Sequence, residues 1–247
     1  MGTSVGASKT RKIGVAPGSK WISCRNMDAG RGSPQTYIEC LQFFLAPHDL
    51  SGKNPKPELR PHSVGNSYGC PRSERCEPDS LKEAAKTLKA AGVFMAVSAG
   101  NAGSCTSVRD PPSHYKSVFT VGASGRGTHT IASYSSKGPV TIDGSNRIKP
   151  DVTAPGSSVT SCVPNNGYRS YSGTSMASPH VNGMIALLWQ ANKKFDRKIK
   201  KTIKIIQETC LNQQATNCNS NGIPNNVYGY GSVDFLAAVE KIQSQKE

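Results

Sequence analysis

A serine hydroxyl becomes a nucleophile only where something lowers the cost of placing negative charge beside it, and one serine of this sequence has such a setting. Gly173-Thr174-Ser175 leads into Val181, Met184, Ile185 and Leu188, apolar at i, i+3, i+4 and i+7, which predicts a buried helix beginning near Thr174. The first turn of a helix carries unpartnered backbone N–H groups and the positive end of the peptide dipole. Ser175 would therefore sit where a developing oxyanion is stabilised, although a Gly-Thr-Ser triplet taken alone reads more simply as a helix cap. A nucleophilic serine also needs a base. The histidines are His48, His62, His114, His129 and His180. Only His180 is close to Ser175 in sequence, and at i+5 on one helix it points away from the serine's face.

The elements that would hold such a site follow from hydrophobic period and punctuation. Residues 20–27 alternate polar and apolar behind Pro17-Gly18 and predict a strand; residues 34–46 read as helix. Residues 47–61 hold four prolines and read as a surface loop. Val64 to Ser67 predicts a short strand. Asp79-Ser80 caps a helix with an apolar face at Leu81, Ala84, Ala85, Leu88 and Ala91, closed by Gly92. Val93 to Val97 is apolar throughout, as in a central parallel strand, and Ser117 to Val121 adds the next one. Strand, helix and strand in this order make a βαβ unit. Phe195, Ile199, Ile203 and Ile206 mark one face of another helix, whose other face is basic and reads as a solvated surface.

Composition narrows the class. The 247 residues carry 30 Lys and Arg against 16 Asp and Glu, a net charge of +14, with 24 Gly, 16 Pro and 8 Cys. A collagenous or wholly disordered chain is excluded, and no apolar run is long enough to span a bilayer. The charge would suit an acidic partner, but no groove-reading motif or interleaved aromatics accompany it, so nucleic acid is not expected as a partner. Eight cysteines fit an oxidising compartment. Cys70/Cys76 and Cys210/Cys218 are candidates for short bridged loops, with Cys24, Cys40, Cys105 and Cys162 standing apart. No CxxC or HxxxH spacing supports a metal site.

Gly173-Thr174-Ser175-Met176-Ala177-Ser178-Pro179-His180-Val181 closely resembles the nucleophile motif of subtilisin-like serine proteases. Further segments fall in that family's order. Val97-Ser98-Ala99-Gly100-Asn101-Ala102-Gly103 resembles the segment bearing its oxyanion asparagine, so the resemblance implies that Asn101 donates its amide to the oxyanion beside the N–H of Ser175. Asn66-Ser67-Tyr68-Gly69 resembles the strand along which these proteases bind extended peptides, with pocket walls shared with Ala99 and Gly100. Residues 133–139, 149–156 and 229–234 resemble structural motifs; Asp151 is not a triad residue by this alignment. The implied fold is α/β, the subtilisin-like three-layer arrangement with a mainly parallel sheet, and the implied activity is endopeptidase chemistry on protein or peptide substrates, extracellular. The resemblance extends to calcium in the family's variable loops, for which no ligand is assignable here.

The family orders its triad Asp, His, Ser, the His opening a His-Gly-Thr-His-Val-x-Gly motif. Met1-Gly2-Thr3-Ser4-Val5-Gly6 aligns with that motif, so Met1 stands where the general base is expected and no residue here matches the triad Asp. The expectation is a partial peptidase domain over residues 1–247 that lacks the N-terminal strands, from an incomplete sequence of an active protease. The alternative is a catalytically inactive relative that binds peptides or a partner chain.

Overall fold

The structure is a computed structural model that describes residues 1–245. Its centre is a four-stranded sheet of β1 (Ser63–Asn66), β2 (Phe94–Ser98), β3 (Phe119–Ser124) and β4 (Val152–Pro155), adjacent in chain order and all parallel. Parallel strands need crossovers on the faces of the sheet, which buries them on both sides. Every residue of β2 and β3 is accordingly buried.

Helices α1 (Gly2–Val5), α2 (Pro34–Leu45), α3 (Lys82–Ala90), α4 (Thr174–Ala191), α5 (Ile199–Thr209) and α6 (Phe235–Ser244) surround the sheet. Phe94 and Ala96 of β2, with Phe119, Val121 and Val152, pack on Val181, Met184, Ile185 and Leu188 of α4 and on Ile206 and Ile242. Alternate residues Met95 and Val97 face the other way, onto Tyr37 and Leu41 of α2 and Ala85 and Leu88 of α3. The period of two along β2 thus feeds two cores, and the molecule is the three-layer α/β sandwich that the sequence implies. A hairpin of β5 (Val159–Val163) and β6 (Gly167–Tyr171) leads directly into α4.

Local chemistry explains the helix starts. Ser33 accepts from the Thr36 N–H at 3.2 Å while Thr36 Oγ1 accepts from the Ser33 N–H at 3.0 Å, a capping box ahead of Pro34. The predicted cap at Asp79-Ser80 does not form. Helix α3 starts at Lys82 behind Leu81, and the Asp79 carboxylate instead pairs with Lys82 at 3.0 Å.

Two further expectations are corrected. Residues 20–27 form no strand, and Trp21 is 58% exposed: the alternation is only partial, and no neighbouring strand offers a ladder. The segment is fastened by a Cys24–Cys40 disulfide to α2. Cys70 and Cys76 are bridged as expected, whereas Cys218 joins Cys105 across 113 residues rather than Cys210. Cys162 and Cys210 are free thiols.

Candidate active site

Parallel strands deliver their carboxyl ends to one edge of the sheet, where ligands of open α/β folds bind. Asn66 pairs in register with Val97, so the segments that follow, Ser67-Tyr68-Gly69 and Ala99-Gly100-Asn101, leave the sheet side by side. The first turn of α4 meets both. Ser175, Asn101 and Ser67 are therefore brought together although 108 residues separate the two serines.

The contacts are reciprocal. Ser175 Oγ donates to the Ser67 carbonyl at 3.1 Å, and Ser67 Oγ donates to the Ser175 carbonyl at 2.9 Å. The second bond has a cause in the sequence. Pro179, four residues after Ser175, has no N–H, so the Ser175 carbonyl has lost its helical partner and the Ser67 hydroxyl takes the place. Ser178, fully buried, lies 3.0 Å from the same hydroxyl.

Asn101 is clamped through its carbonyl oxygen. Oδ1 accepts from the Thr174 N–H at 2.9 Å and from Thr174 Oγ1 at 3.1 Å, while the Gly100 N–H donates to Thr174 Oγ1 at 3.1 Å. With Oδ1 held, neither the amide Nδ2 nor the Ser175 N–H, in the first turn of α4, has an acceptor among the described residues. Gly173 lies next to that amide: a Cβ on it would stand 3.4 Å from Asn101 Nδ2. Gly100 holds the turn at φ +104°, and a Cβ there would meet Ser136 Oγ at 2.9 Å. Thr174, Ser178 and Pro179 were not singled out as functional in the sequence; Pro179 at i+4 from the serine was the legible signal.

The remaining residues of the groove divide by face. Asn66 is buried on the Val64 side of β1, its Nδ2 without a partner among the described residues. The Tyr68 ring stacks on Tyr37, centroids 4.5 Å apart, and the Tyr37 hydroxyl donates to Glu74 at 2.6 Å. Burial raises the Tyr68 hydroxyl pKa well above the usual phenol range. Ala99 is buried and Gly69 half-buried.

Among the described residues no histidine hydrogen-bonds Ser175. His180 Nδ1 lies 2.8 Å from the Met176 carbonyl, and burial lowers its pKa. His114 is buried beside Tyr115, and His62 packs against Trp189. The turn α1, where the alignment expects the base, packs on α4 through a bond from Ser4 Oγ to the Pro179 carbonyl at 2.8 Å. No group of three or more His, Cys, Asp or Glu side chains converges among the described residues, so no residue set is assigned to calcium.

The geometry is thus a three-layer parallel α/β fold with a serine in the first turn of a buried helix, beside an asparagine clamped by its neighbour Thr174. The comparisons make the class specific. The Subtilase family matches residues 1–231, and the chain belongs to that family. It is 34% identical to Bacillopeptidase F of Bacillus subtilis over 98% of this chain and 16% of that protein. It is 34% identical to Subtilisin-like protease 6 of Arthroderma gypseum over 78% of this chain and 44% of that one. A protease from Pseudoalteromonas arctica superposes with a TM-score of 0.76 at 23% identity, covering 98% of this chain and 69% of its own. A cold-adapted subtilisin-like serine proteinase gives 0.69 at 22%. The chain thus spans less than half the length of these sequence relatives.

Proposed function

We propose that the chain carries the acylating half of a peptide-bond hydrolase, with Ser175 as nucleophile and with Asn101 Nδ2 and the Ser175 N–H as the oxyanion donors. The observation that supports this most is the clamp of Asn101 by Thr174, the residue before the serine, which occupies Oδ1 and leaves the amide nitrogen to serve as a donor. An extended protein or peptide substrate would lie between Ser67-Tyr68-Gly69 and Ala99-Gly100, its scissile carbonyl over Ser175. The Ser175 proton must leave to a base for the hydroxyl to attack, and in this arrangement it is shared with the Ser67 carbonyl, which cannot take it. The general base and the carboxylate that orients it would come from residues other than those of positions 1–245. The three disulfides support an extracellular or similarly oxidising setting.

A fluorophosphonate probe with mass-spectrometric mapping tests the nucleophile, with imidazole in excess as the base that residues 1–245 do not supply. Labelling at Ser175, lost in Ser175→Ala, is the expected result; labelling that persists in Ser175→Ala overturns it. Casein turnover by residues 1–247 should be on the order of 10⁶ below that of a complete Ser-His-Asp site. The bond from Ser175 Oγ to Ser67 also favours a second reading, peptide binding without cleavage. Under it, peptides bind equally to the chain and to Ser175→Ala, and the fluorophosphonate leaves both unlabelled.

A further inference from the structure

The amino ends of the strands, opposite the serine, hold a cavity of about 710 Å³ between α3, α5 and the loops that lead into β2, β3 and β4. Nine cationic side chains and two carboxylates line it, a surplus of seven and so half of the chain's +14. Some of these cations are already neutralised: Lys82 pairs with Asp79 and Arg147 with Asp143. Lys89, Lys116, Lys198, Lys200 and Lys201 form no ion pair among the described residues, and the ammonium of Lys89 has only the Lys116 carbonyl, at 3.3 Å.

The sequence alone placed the lysines of α5 on one solvated helix face. The fold changes that reading, because it brings Lys89 of α3 and Lys116 of the loop before β3 to the same hollow. Helix α5 adds to it: its N-terminus opens into the cavity with Lys198, Lys200 and Lys201 and with no acidic residue in its first turn. Positive side chains at the positive end of a helix dipole repel it. An anion in the cavity would relieve both costs at once. Burial is the first cause of the lowered pKa of Lys89, and neighbouring Lys149, Lys200 and Lys116 add to it against Asp151.

We infer that this cavity binds a compact polyanion, a small polyol carrying several phosphate or sulfate esters. Its volume lies in the range of small-molecule sites, about 300–1,000 Å³. Its one aromatic lining residue, Tyr115, is buried, so nothing is offered on which bases could stack. A concave site rather than a stripe also disfavours a duplex.

Calorimetry on the disulfide-bonded full chain tests this, at about 150 mM salt so that loosely attracted ions are screened. The probes are inositol hexakisphosphate, a heparin-derived tetrasaccharide, inorganic phosphate and a short DNA duplex. One of the two polyol esters should bind at least about tenfold tighter than inorganic phosphate, and which one does so separates a phosphorylated from a sulfated ligand. The exposed lysines allow a variant that leaves the fold alone: Lys116→Gln/Lys200→Gln/Lys201→Gln should weaken binding about tenfold or more with an unchanged melting curve. Lys9→Gln/Lys12→Gln/Lys20→Gln removes the same charge from positions that do not line the cavity and should bind like the parent. Three results would each overturn the inference: neither ester surpassing inorganic phosphate, the duplex binding as tightly as the better ester, or the two triple variants losing affinity alike.

Discussion

Asn101 matters at the scale of single residues because its orientation is enforced rather than chosen. Oδ1 accepts from the Thr174 N–H and shares the Thr174 hydroxyl proton with the Gly100 carbonyl, so a flip of the amide would set the donor Nδ2 against the donor N–H of Thr174. Asn101→Ala should therefore slow fluorophosphonate acylation of Ser175 by about 10²–10³-fold, the usual effect of removing one oxyanion donor. Thr174→Val should give a smaller loss, measured in the same assay, because the amide remains but is free to turn. His114 carries a different consequence. Burial lowers its pKa, with Arg147 adding to the effect and Asp143 opposing it, so the unfolded chain binds its proton more readily than the native one. That difference is harmless above about pH 6.5 and destabilises the fold as pH falls below it. His180, also lowered by burial, acts in the same direction. Urea midpoints measured from pH 7 to 5 should fall less in His114→Phe than in the parent. The nucleophile segment was legible in the sequence because it is continuous. The Thr174 clamp was not, because its partner is 73 residues away.

Among the elements, α4 both presents the serine and holds the N-terminal turn. Gly183 makes the second task feasible: a Cβ there would stand 2.7 Å from the Val15 side chain and 2.9 Å from the Ser4 carbonyl. Gly183→Val should push α1 off α4 and cost about 1–3 kcal/mol, read from denaturant unfolding, with little change in acylation of Ser175. The same scale shows where pattern reading succeeds. Strand β2 and helix α4 are apolar in a period that only a two-sided core satisfies, and both formed within two residues of expectation. Residues 20–27 alternate only in part, with Trp21-Ile22 and Arg25-Asn26 out of step, and stay irregular, since a strand also needs a partner that the sequence of one segment cannot supply.

For the molecule as a whole, covalent links tie distant parts. Cys105–Cys218 fastens the loop after Asn101 to the segment before α6 and closes the largest covalent loop of the three bridges. Replacing both cysteines by Ala should lower stability by about 2–5 kcal/mol, visible as a lower melting temperature, and should increase the mobility of the Asn101 loop. That pairing was hidden because cysteine spacing favours neighbours, and only the tertiary fold makes residues 113 apart adjacent. The two thiols left over differ sharply. Burial pushes Cys210 up to about 12, so it stays protonated and unreactive under mild conditions. Cys162 is exposed on the hairpin, and the backbone of Gly2 approaches it so closely that a Cβ there would stand 2.6 Å from its sulfur. A maleimide dye coupled under native conditions would thus attach at one place, on the seam between the hairpin and the first turn of the chain. Its emission would report, molecule by molecule, whether that turn is seated against the helix that bears Ser175.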